Sequence, residues 1–157
     1  MRRLSVKTFT VVLLISVFLS TGTSVAGQDK SCTPTEPDML GPFYKPDAPV
    51  RSSVGKGYVL SGVVKSSVGC TPIKGARIEF WLAAPNGKYD DEHRATIFSD
   101  EKGSYRFESN VPGPYFGRPP HIHIKVSARG FTTLITQHYP EKNQTQASLD
   151  LILIPSR

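Results

Sequence analysis

From residue 58 onward the chain is written in short apolar-rich runs, punctuated by residues that turn the backbone. The runs over 58–64, 76–83, 95–98, 104–108, 121–128, 132–137 and 149–154 read as strands. Pro85-Asn86-Gly87, Ser99-Asp100-Glu101-Lys102-Gly103 and Arg129-Gly130 supply turn chemistry between them. The 121–128 run has the clearest alternation. Ile122, Ile124 and Val126 fall on one face of a strand, and His121 and His123 on the other. No segment sustains an apolar period of 3.6. About seven short strands predict an all-β fold, an antiparallel β-sandwich or barrel, with the sandwich preferred. Fold alone assigns no function, because such modules also serve as binding or spacing domains.

The first 56 residues read differently. Arg2, Arg3 and Lys7 precede an apolar run over 11–19, and Ser24-Val25-Ala26 supplies small residues. This is the pattern of a secretory signal cleaved after Ala26, and the run is short of the ~20 residues a membrane span needs. Export, with no stable membrane insertion, is the expectation. Residues 27–56 are rich in Pro, Gly, Ser and Asp. Prolines 37, 42, 46 and 49 exclude a regular helix, so an extended N-terminal strap is expected ahead of a sandwich domain over 57–157.

Removing the signal takes away three of the 19 basic residues and none of the 13 acidic ones, which lowers the net charge from +6 to +3 (16 minus 13). No basic run with interleaved aromatics is present, so nucleic-acid binding is not supported. Cys32 and Cys70 form an even pair, and in an oxidising compartment they favour a disulfide over two unrelated thiols. Its loop of about 39 residues would be worth ~4 kcal/mol in the chain-entropy account. Neither cysteine lies in a C-x-x-C spacing of the kind metal sites use.

The chemistry concentrates in Gly113-Pro114-Tyr115-Phe116-Gly117-Arg118-Pro119-Pro120-His121-Ile122-His123. Two imidazoles two residues apart on a strand have Cα atoms ~6.6 Å apart, close enough to share a metal ion. Pro119 and Pro120 stiffen the approach. The residues after His123 include no Asp or Glu before Glu141, which argues against a two-histidine, one-carboxylate Fe(II) site. Tyr115 and Tyr89 stand nearby in sequence instead. Phenolate is a hard anion suited to Fe(III), and a cation lowers the phenol pKa. Taken singly, each tyrosine also fits a packed aromatic with a hydrogen-bonded hydroxyl.

These residues together resemble the intradiol ring-cleavage dioxygenases, the family of protocatechuate 3,4-dioxygenase and catechol 1,2-dioxygenase, in a compact, exported, single-domain form. The resemblance runs from about Thr35 to the C-terminus. It is carried by Gly41-Pro42-Phe43-Tyr44, Phe80-Trp81-Leu82-Ala83-Ala84-Pro85-Asn86-Gly87-Lys88-Tyr89, Pro112-Gly113-Pro114-Tyr115, Arg118-Pro119-Pro120-His121-Ile122-His123 and Leu134-Ile135-Thr136-Gln137. It implies Fe(III) held by Tyr89, Tyr115, His121 and His123. Tyr115 is then the ligand that lets go when a catechol binds. Arg118 stabilises negative charge on the ring, and Gln137 hydrogen-bonds at the edge of the site. Small-molecule catechol and O2 are the implied partners, and a muconate-type diacid is the product. The alternative is a non-catalytic extracellular β-sandwich module with a vestigial metal site. The loop from Tyr115 to His121 is short, and the helical dimerisation segment of catechol dioxygenases has no counterpart, so an open pocket is expected. Tyr44, Arg51, Arg94 and His138 read as surface or packing residues, and His93 as solvated beside Asp90-Asp91-Glu92.

Overall fold

The computed structural model describes residues 31–157, so the expected signal over 1–26 lies outside the described residues. Eight strands follow the strap: β1 (Tyr58–Ser66), β2 (Arg77–Leu82), β3 (Arg94–Phe98), β4 (Ser104–Ser109), β5 (Ile122–Ser127), β6 (Leu134–His138), β7 (Gln146–Ser148) and β8 (Leu151–Leu153). They form two sheets. One is ordered β3-β2-β5-β6; in the other, β1 lies between β4 on one side and β7 and β8 on the other. The sandwich is as expected, with two departures. The run over 149–154 begins one strand later than a second short strand, β7, and both β7 and β8 pair with β1 in parallel. Gly62 permits this arrangement. A Cβ there would stand 2.0 Å from the Leu149 carbonyl oxygen, so only glycine lets the β7–β8 link pass so close to β1.

Register explains how the sheets face one another. In the four-stranded β3-β2-β5-β6 sheet, Ile78 is opposite Val126, Phe80 opposite Ile124 and Leu82 opposite Ile122. These side chains point inward and are buried with Leu60, Val64, Phe107, Leu151 and Leu153 of the other sheet. Phe80 and Phe107 stack across the interface with centroids 4.1 Å apart and planes 3° from parallel. Burying such side chains contributes roughly 1.5–3 kcal/mol each relative to exposure. The expected inward face of 121–128 is the observed one.

The opposite parity of β2 and β5 sets up the functional face. Trp81 pairs with His123 and Glu79 with Lys125 on the outside of the sheet. The strap lies over this face. Asp38 N–H donates to the Ile135 carbonyl (2.9 Å), Thr96 Oγ1 to the Ala48 carbonyl (2.8 Å) and Arg51 N–H to the Thr96 carbonyl (3.1 Å). Beneath it, Glu79 is 1% exposed and is held by Tyr44 Oη (3.1 Å), Arg77 (3.3 Å) and Lys125 (3.5 Å). A buried carboxylate needs that company, because an unpaired one costs several kcal/mol. Cys32 and Cys70 form a disulfide with Cα atoms 5.3 Å apart, and this ties the start of the strap to the β1–β2 link.

Candidate metal centre

His121 and His123 reach the same point from the outer face at the start of β5, and both are nearly fully buried. Their Nε2 atoms are 3.2 Å apart, and Tyr89 Oη lies 3.1 Å from His121 Nε2. Tyr89 follows β2 through the turn at Asn86-Gly87. There Gly87 N–H donates to the Ala84 carbonyl (2.8 Å) and Lys88 N–H to Asn86 Oδ1 (3.0 Å). The turn brings a phenol back toward residues 32 and 34 positions further along the chain. Pro119 has a second role besides stiffness. Its carbonyl lies 2.8 Å from His121 Nδ1. A proton on Nδ1 satisfies that carbonyl and leaves Nε2 as a bare lone pair facing the cluster.

The surroundings keep these groups neutral. Burial pushes the Tyr89 phenol up to about 12, and burial followed by the charge of His121 takes His123 down to about 3. Burial also lowers His121. A neutral phenol can donate to His121 Nε2, which also lies 3.2 Å from His123 Nε2. His123 Nδ1 is buried with no hydrogen-bond partner of ordinary geometry. The Met39 carbonyl favours a proton on this ring, but it already accepts from Gln137 Nε2 at 2.7 Å. The cluster thus gathers two imidazole nitrogens and a phenol oxygen at one place, with a further buried ring nitrogen left unpartnered. Such a donor set, two imidazoles and a phenol, fits a hard or borderline cation.

Aromatic packing fixes the rings. Trp81 stacks on His123 (4.8 Å, 4°), and Phe43 of the strap stacks on Tyr89 (4.4 Å, 13°). Gly41, at φ +72, passes so near His123 that a Cβ would stand 2.9 Å from Cε1.

Of the four expected ligands, Tyr89, His121 and His123 come together directly. Tyr115 packs its ring edge-on against Tyr89, with centroids 5.4 Å apart, and its hydroxyl makes no hydrogen bond among the described residues. It sits on a tight turn closed by Arg118 N–H to the Tyr115 carbonyl (2.8 Å), with Phe116 at φ 41 and Gly117 at φ 69. Both central residues have positive φ, as in a type I′ turn. That turn throws Arg118 to the other side of the site. Its guanidinium donates to Gln137 Oε1 and Tyr139 Oη, each at 3.0 Å. Beyond the two tyrosines lies an open groove of about 520 Å³ lined by Phe43, residues 86–89 and residues 114–116.

Other residues singled out in the sequence lie elsewhere. His138 is a packing residue: its ring stacks on Tyr58, and its Nε2 lies 2.6 Å from Tyr58 Oη. Arg51 caps the carbonyls of Asp91, Glu92 and Arg94; Arg94 holds the Phe43 carbonyl at 2.6 Å. His93 is not simply solvated: its Nδ1 is 2.7 Å from Asp90 Oδ1. Sequence reasoning missed Tyr139 and Asp38 as neighbours of Arg118. Tyr139 was findable, since it stands two residues from Gln137 and so shares its side of the chain. Asp38 was not, being 101 positions from Tyr139, whose hydroxyl it accepts at 3.0 Å.

The family model described as "Dioxygenase" matches residues 44–153, and so spans the centre and nearly the whole sandwich. The chain belongs to the intradiol ring-cleavage dioxygenase family. It is 30% identical over 163 residues to the chlorocatechol 1,2-dioxygenase of Pseudomonas putida, covering 82% of this chain and 62% of that protein. For a second chlorocatechol 1,2-dioxygenase, from Pseudomonas sp. strain P51, the covered share of the relative is 56%, so the chain spans less than two thirds of each of these relatives. Among solved structures, the dioxygenase domain of a dioxygenase–carbohydrate-binding fusion from Streptomyces sp. SirexAA-E is 30% identical with a TM-score of 0.71; the match covers 79% of this chain and 100% of that one. An intradiol ring-cleavage dioxygenase from Tetranychus urticae shares the fold at 19% identity with a TM-score of 0.73, over 80% of this chain and 97% of its own.

Proposed function

We propose that this chain is an exported non-haem Fe(III) intradiol dioxygenase. It opens a catechol-type ring between the two hydroxyl-bearing carbons with O2 and yields a muconate-type diacid. The carrying observation is that His121 Nε2 has Tyr89 Oη at 3.1 Å and His123 Nε2 at 3.2 Å, on the same side of the sheet as a guanidinium anchored by Gln137. Tyr89, Tyr115, His121 and His123 would hold the iron, which supplies a Lewis acid that acidifies a chelated catechol and enables its reaction with O2.

The protein's own groups account for the rest. Trp81 and Phe43 hold the His123 and Tyr89 rings in place and exclude water behind them. Tyr115 is the one ligand of the four with a hydroxyl unengaged by the others and a backbone on a solvent-facing turn. As a phenolate ligand it would have the latitude to swing away, and its Oη would then take a proton from the incoming catechol. The Arg118 guanidinium, preorganised by Gln137, faces negative charge as it develops on the substrate ring and oxygens. The groove beside Tyr89 and Tyr115 leaves room for a substituted catechol. Oxygen uptake across a panel of catechols tests the proposal. Uptake with stoichiometric acid product is expected, slowed about 100-fold or more by Arg118→Ala. No uptake by ferric-loaded protein with any catechol would leave a non-catalytic sandwich module.

A further inference from the structure

Arg118 is held from its far side by a small relay that begins on the strap. Its Nη2 donates to Gln137 Oε1 and to Tyr139 Oη, both at 3.0 Å, and Tyr139 Oη lies 3.0 Å from Asp38 Oδ2. The other Asp38 oxygen accepts the Met39 N–H at 2.6 Å. The strap itself is docked on the edge of β6 at this point. Asp38 N–H donates to the Ile135 carbonyl, Thr136 Oγ1 to the Glu36 carbonyl and Gln137 Nε2 to the Met39 carbonyl. Asp38 is therefore a fixed group, and its carboxylate never touches the guanidinium directly.

Tyr139 has one proton and two acceptors within reach, Asp38 Oδ2 at 3.0 Å and Gln137 Oε1 at 2.9 Å. A carboxylate is the stronger acceptor. With the proton on the Asp38 side, the Tyr139 lone pairs and the Gln137 carbonyl both face Arg118 Nη2. With the proton turned to Gln137, the same carbonyl is shared and the grip on Arg118 weakens. A direct Asp38–Arg118 pair would occupy two guanidinium donors. The phenol between them engages only Nη2, and Nη1 meets nothing stronger than the Met39 thioether at 3.8 Å, a weak acceptor that a substrate oxygen would displace.

Resting on the dioxygenase reading above, we infer that Asp38 is a positioning residue for Arg118: by accepting the Tyr139 O–H hydrogen bond, the strap carboxylate aims the guanidinium into the site. The test uses the ferric-loaded full chain with catechol. Asp38→Asn keeps the shape but removes the preference for the proton, and Tyr139→Phe removes the relay. Each should lower kcat about tenfold, move KM less than twofold and leave iron content and the visible absorption unchanged. In an Arg118→Ala background, neither substitution should lower kcat further. A full tenfold loss persisting in that background would show a structural effect and overturn the inference, as would an unchanged kcat in both single variants. Loss of iron or of visible absorption in Asp38→Asn would also overturn it, by placing the effect at the metal ligands. A wild-type chain that binds iron but turns over no catechol overturns the dioxygenase reading itself.

Discussion

Replacing Gly41 by alanine probes how closely the strap sets the centre. Gly41 has φ +72, where an L side chain costs about 1–2 kcal/mol, and the new Cβ would lie 2.9 Å from His123 Cε1. Ordinary carbon contacts begin near 3.5 Å, so something must yield by about 0.5 Å. His123 is 2% exposed and has Trp81 stacked on one face, so retreat of the ring is costly. Metal ligation tolerates errors of only about 0.2 Å, so a shift of that size is spent on ligand geometry. Gly130→Ala is the control, because its φ is +83 but nothing lies within 4 Å of the added carbon. Chemical denaturation should show both variants destabilised by about 1–2 kcal/mol from the backbone alone. Ferric titration followed in the visible should show a tenfold or greater loss of affinity in Gly41→Ala only. A Gly41→Ala protein that binds iron within twofold of wild type would refute the claim that the strap wedges His123.

Two further outcomes follow from the same geometry. Burial holds His138 below its ordinary value of 6.5, and the neutral ring shares a 2.6 Å hydrogen bond with Tyr58 Oη. As pH falls below 6.5 the unfolded chain binds this proton first, so the stability it contributes is complete above that pH and lost below it. His121 and His123 act in the same direction in iron-free protein. His138→Gln should therefore flatten part of the acid limb of the melting-temperature profile, and an unchanged slope contradicts the burial argument. Removing the Cys32–Cys70 bond by Cys32→Ser with Cys70→Ser should cost about 2–4 kcal/mol in chemical denaturation, and a change below about 0.5 kcal/mol would mean the strap is anchored without it.

How much of this was legible in the sequence varies with the range of the interactions involved. The inward face of β5 and the shared face of His121 and His123 follow from a period of two, which is local. The ligand cluster depended on a turn, Asn86-Gly87, whose chemistry is also local. The parallel pairing of β7 and β8 with β1 was not legible. It depends on Gly62 meeting a carbonyl 87 positions away, and a lone glycine in a strand announces only that something comes close. Trp81 beneath His123 required the β2–β5 register, which no single run encodes. Asp38 needed the path of the whole strap. Prolines predict that the strap is extended but not which sheet edge it follows.

The central claim is that two phenolates and two imidazoles grip one ferric ion. Visible absorption of the iron-loaded protein, measured with its iron content, tests this most directly. A tyrosinate-to-iron charge-transfer band with one iron per chain is the predicted result, weakened in Tyr89→Phe and abolished along with the iron in His121→Ala. A protein that takes up ferric iron yet stays colourless, or keeps both band and iron in His121→Ala, would contradict it.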